Sequence, residues 1–174
     1  MKTTKKLPFF VLALLFLMGC QAKPAADNAD SEVDAVREWF TAEEPNYDLV
    51  STDTVKEGVY ALLTTFTPPG VEKGYTMVRA YIVAAEGEGY TIEALGDAYG
   101  PGSIGFSAEV LSTEEATVLF GDIGSSLYDP TTDTRRDVTF TEVTVKLADG
   151  EEVSASIQND APYLILLGAG TEVS

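Results

Sequence analysis

VTVKLADGEEVSASI, residues 143–157, is the stretch that decides the fold. Val143, Val145 and Leu147 alternate with Thr144 and Lys146, and Val153, Ala155 and Ile157 alternate with Ser154 and Ser156. A period of two places the apolar set on one face of a strand and the polar set on the other. Between the two runs stands Asp149-Gly150, a dipeptide that tolerates the positive φ angles of a tight hairpin turn. The stretch therefore predicts two antiparallel strands with one dry face and one wet face.

The same texture extends over most of the chain. From Val59 onward, short runs rich in Val, Ile, Thr, Tyr and Phe are separated by Gly, Pro and Asp clusters, among them Thr67-Pro68-Pro69-Gly70 and Glu86-Gly87-Glu88-Gly89. Strands are expected near residues 58–66, 75–85, 90–96, 104–111, 116–122, 138–147, 152–158 and 162–168, with a weaker one near 47–55. Residues 77–85 and 163–167 are apolar at nearly every position, so these strands should be covered on both sides. The fold class is mainly β, as an antiparallel sandwich or as a curved sheet or partly open barrel, with one N-terminal α-helix. That helix is expected at about 32–42, opened by Ser31 as a cap. Its apolar stripe would be Val33, Val36 and Phe40, with Trp39 at the edge.

The N-terminus has a different character. Lys2, Lys5 and Lys6 precede an apolar run at 7–18, interrupted only by Pro8, which leads into Leu17-Met18-Gly19-Cys20. A helix of 12 residues rises about 18 Å, against the roughly 30 Å of a bilayer core, so the run suits a secretory signal better than a permanent span. Leu17-Met18-Gly19-Cys20 resembles the lipobox of bacterial lipoproteins. The resemblance implies cleavage between Gly19 and Cys20 and a diacylglyceryl group on the Cys20 thiol. Two acyl chains suffice for stable anchoring where one is reversible. Cys20 is the only cysteine, so no disulfide forms within the chain.

The organisation that follows is a signal peptide at 1–19, a lipidated cysteine and flexible tether at 20–30, and a single β-rich domain at 31–174. A ten-residue tether spans at most roughly 35 Å. The expected location is the outer face of the cytoplasmic membrane, in a Gram-positive host by preference, or the outer membrane of a diderm one. The C-terminal third, from TVLFGDIG (117–124) through VTFTEVTVKLADGEEVSASI (138–157) to PYLILL (162–167), resembles small Gram-positive surface lipoproteins of unknown function. It implies place and fold, and brings no activity with it.

Charge and composition narrow the function. The chain has 11 basic and 28 acidic side chains; loss of the three signal lysines leaves 8 against 28, a net charge of −20. Such a surface repels nucleic acid and anionic headgroups. No histidine occurs, which removes His-dependent triads and His-ligated metals. No cofactor is expected beyond the diacylglycerol on Cys20, and no metal. Residues 100–105 match GxGxxG formally, but a strand-like run follows instead of a helix, so a turn is the better reading. The acidic pairs Glu43/Glu44, Glu114/Glu115 and Glu151/Glu152 read as solvated turns or edges.

Residues 125–137 (SSLYDPTTDTRRD) form the longest non-apolar segment and are expected to be a long loop. Its acids lack the spacing of a calcium-binding EF-hand loop. Tyr128, Arg135 and Arg136 are the candidate partner contacts there; the plainer reading has both arginines paired with nearby carboxylates. The function that follows is a non-catalytic binding or interaction domain in the cell envelope, with an envelope protein or small ligand as partner. The alternative is a small-ligand or lipid carrier with an apolar cavity in a curved sheet.

Overall fold

The computed structural model describes residues 25–71, 76–100 and 105–174, with side chains from Asp30 onward. The chain divides into two units, Met1–Glu32 and Val33–Ser174. What is described of the first is helical, as the start of α1 (Ala25–Glu43). The rest of α1 and eleven strands make up the described part of the second. No helix among the described residues is long and apolar enough to cross a membrane.

β1 (Asp48–Lys56), β2 (Val59–Phe66), β3 (Met77–Glu86) and β4 (Gly89–Ala98) form an antiparallel meander in that order. Alternation along β2 and β3 gives this sheet two apolar faces. Tyr60, Leu62, Tyr81 and Val83 meet Val36 and Phe40 of α1 on one face. Ala61, Leu63, Val78 and Ala80 meet Val118 and Phe120 on the other. Both faces of β3 are closed, as the run at 77–85, apolar except at Arg79, predicts.

A second antiparallel sheet carries β6 (Thr117–Ile123) between β11 (Ala161–Leu166) and β5 (Glu109–Ser112). Val118 and Phe120 face the first sheet, while Leu119 and Ile123 on β6 and Tyr163 and Ile165 on β11 face outward. Over that outer face lies the ribbon of β9 (Glu142–Lys146) and β10 (Glu152–Ser156), which buries Val145 and Leu147. The fold is thus mainly β, with a single helix among the described residues: two antiparallel sheets face to face, the helix covering one and the ribbon covering part of the other. Val143 stands opposite Ala155 and Val145 opposite Val153, as the alternation around Asp149-Gly150 requires.

Four expectations need correction. The helix starts at Ala25, so Ser31 lies inside it and residues 25–30, expected as tether, are helical; alanine, present at 25, 26 and 29, is the strongest helix former. Residues 125–137 are not an irregular loop: β7 (Ser126–Asp129) and β8 (Thr134–Asp137) pair as a hairpin. The strand expected at 104–111 is shorter, and only Phe106 bridges to Ile123 ahead of β5. Finally, β11 is not covered throughout, since Leu166 is 37% exposed.

Candidate binding cleft

The ribbon is two strands wide and the sheet beneath it three, so a strip of apolar surface stays open. There, Phe106 is 46% and Val110 45% exposed. Val110 stands opposite Leu119 in the β5–β6 ladder and shares its outward face. Between Phe106 and β9 runs a cleft of about 480 Å³ with Leu119, Phe140, Val143, Val145 and Tyr163 in its lining. Apolar concavities of this size are the usual form of a binding site.

Ser107 positions the Phe106 wall. Its N–H donates to the Asp122 carbonyl at 2.9 Å and its Oγ accepts from the Asp122 N–H at 3.0 Å. The Ser107 carbonyl accepts the Tyr163 hydroxyl at 2.8 Å. Burial pushes the Tyr163 phenol up to about 12, and the Asp122 charge adds to the rise. Gly121 allows this crossing, because a Cβ there would sit 2.0 Å from the Ser107 oxygen.

Burial also raises the Asp122 carboxyl above its usual range, opposed by the N–H of Ile123 and reinforced by Asp160. A carboxyl whose folded pKa is raised contributes stability below its unfolded value and loses it as pH climbs through the folded one. Asp122→Asn is therefore expected to raise the urea midpoint at pH 7, and the gain should vanish near pH 3. Equal gains at both pH values would show that desolvation of the charge is not the cause.

Gly19 and Cys20 lie outside the described residues, as do positions 101–104 of the GxGxxG match. Tyr128 and Arg135 are opposite partners in the β7–β8 ladder. The Tyr128 hydroxyl donates to Asp133 at 2.8 Å, and Arg135 Nη1 donates to Ser126 Oγ at 3.3 Å. Arg136 pairs in register with Leu127. Neither arginine forms an ion pair among the described residues, contrary to the plainer expectation. Asp129 accepts the Thr131 N–H at 2.9 Å in a local turn. Among the described residues, no group of three or more acidic or cysteine side chains is placed to hold a metal ion.

Two features escaped the sequence reading. One is the Phe106–Val110 strip. The other is a polar cluster on the helix face of the first sheet, where Arg79 grips Asp97 through Nε and through Nη2 at 2.7 Å and donates from Nη1 to the Tyr47 hydroxyl. The Arg79 guanidinium lies 5.0 Å from the Tyr47 ring centre and 4.9 Å from that of Phe66. Asp97 holds the Arg79 proton more firmly than usual, and burial raises the Tyr81 phenol. Arg79 is thus held by a two-point carboxylate contact and by two aromatic rings. Comparison with protein-family models, curated proteins and solved structures returned no match.

Proposed function

We propose that this chain is a membrane-anchored extracytoplasmic lipoprotein whose β-sandwich serves as a non-catalytic binding module in the cell envelope. The observation that carries the binding role is the open apolar cleft beside β9, walled on one side by the exposed Phe106. The anchoring rests on Leu17-Met18-Gly19-Cys20, whose lipidated cysteine would hold the domain at the outer face of the cytoplasmic membrane. A small-ligand carrier would use the same apolar cleft; the space between the two sheets is packed with Ala61, Leu63, Val78 and Phe120.

The test compares three forms of the full chain in cells. Cys20→Ser is expected to lose palmitate labelling and to be released from membranes. With a photo-crosslinking residue at position 106, the anchored chain should form a discrete adduct; one at position 136 should not. Retained palmitate on Cys20→Ser would refute the anchoring. Adducts at 136 and none at 106 would move the binding surface to the β7–β8 hairpin.

A further inference from the structure

We infer that the cleft receives an extended peptide segment of a partner, which joins β9 as the next strand of the ribbon. Its alternate apolar side chains enter the cleft, and Lys or Arg occupies the positions between them. The inference rests on the reading of the cleft as a binding site and names its occupant.

The backbone of β9 supplies the first argument. In an antiparallel ladder, successive residues turn their N–H and C=O groups to opposite edges. The Thr141 carbonyl accepts from Ile157 N–H at 3.1 Å and Leu147 N–H donates to the Glu151 carbonyl at 2.8 Å, so odd-numbered residues serve β10. Glu142, Thr144 and Lys146 therefore face the cleft edge. At the far end that edge is already taken: Ser174 N–H donates to the Lys146 carbonyl at 3.1 Å, Ala148 N–H to the Glu172 carbonyl at 2.9 Å, and Leu147 bridges antiparallel to Val173. Ahead of Ser174, the outward N–H and C=O groups of Glu142 and Thr144 have no backbone partner among the described residues. The chain thus demonstrates on its own edge, over three residues, the pairing that a longer strand would continue.

Packing supplies the second. A strand added about 4.8 Å outside β9 extends the ribbon over the strip where Phe106 and Val110 are exposed. Every second side chain of that strand points down at Phe106, Leu119 and Val145, which sets the apolar alternation.

Charge selects the partner. On the solvent face of the ribbon Lys146 stands opposite Glu152, whereas Glu142 stands opposite Ser156 and faces no cation across the ladder. A basic side chain on the added strand would supply one, within a chain of net charge −17. A second copy fits poorly. Two β9 strands paired about Thr144 would match Glu142 with Lys146, but Ser174 already holds the Lys146 carbonyl. Pairing about Glu142 clears the tail and sets Glu142 against Glu142.

The test uses the full chain in mild detergent and a fluorescein-labelled eight-residue peptide of alternating valine and lysine. Fluorescence anisotropy should report binding, and an alternating valine–glutamate peptide should not bind. Thr144→Pro removes an outward N–H while leaving the β10 ladder intact, and should weaken binding at least about tenfold; Thr144→Val should stay within about twofold. The same loss is expected when the unaltered chain meets a peptide N-methylated at alternate residues, a control independent of the variant's folding. Amide exchange at Thr144 should slow on binding. Failure of the valine–lysine peptide to bind overturns the inference, as does equal binding to Thr144→Pro or by the N-methylated peptide. A position-106 adduct in cells would then still uphold the binding module. A homodimer abolished by Thr144→Pro would replace the peptide with a second copy.

Discussion

Gly121→Ala is expected to cost about 3 kcal/mol of stability, read as a fall in the denaturant midpoint with an unchanged slope. The added Cβ would stand 2.0 Å from the Ser107 oxygen, 2.7 Å from its carbonyl carbon and 3.0 Å from the Tyr163 hydroxyl. Two of these three neighbours are backbone atoms, so no rotamer change relieves the clash. Residues 106–108 must lift from β6, breaking the 2.9 Å bond from Ser107 N–H to the Asp122 carbonyl and the 2.8 Å bond from Tyr163. The same movement would displace the Phe106 wall, so binding at the cleft should fall with stability. Ordinary stability in Gly121→Ala would mean that Ser107 does not approach β6 as closely as the fold requires.

Phe40→Ala should cost about 3–5 kcal/mol, the range for a fully enclosed aromatic side chain. Phe40 is 0% exposed and meets Tyr81 edge-on at 4.8 Å. It joins Val36 as the fully buried part of the stripe by which α1 covers its sheet. Trp39, the only tryptophan, lies 5.4 Å from Tyr90 and reports that docking. The variant should show a red-shifted Trp39 emission and a lower urea midpoint. Thr41→Ala, at an exposed position on the same helix, should change either by little. Unchanged emission from Phe40→Ala would show that the helix is held by other contacts.

Much of the fold was legible because its cues are local. Period-two alternation on either side of Asp149-Gly150, the run at 77–85 that is apolar except at Arg79, and the Val36/Phe40 spacing each specify an element and its buried face without reference to distant residues. The 125–137 segment misled because its polar composition suggests a loop, while the β7–β8 hairpin it forms turns most of its side chains to solvent. A wet strand carries no apolar alternation to betray it.

Register across distance was not legible, and the Arg79–Asp97 grip shows why. From the turn, Glu86 pairs with Gly89 and Val83 with Ile92, a register that would set Arg79 against Gly96. The irregularity after Val83 leaves Glu93 unpaired and shifts the ladder by one, so Arg79 meets Asp97 instead. One extra residue in a strand changes every partner beyond it.

Residue types along the chain thus determined the β class and the buried Val36/Phe40 stripe of the helix, since propensity and periodicity act within a few residues. The cleft was decided in three dimensions. It exists because a two-stranded ribbon lies on a three-stranded sheet, because residues 172–174 close only part of the β9 edge, and because Gly121 lets Ser107 cross close enough to raise Phe106 as a wall. Each of these joins separate elements of the chain, and their meeting is set by the packing of whole layers.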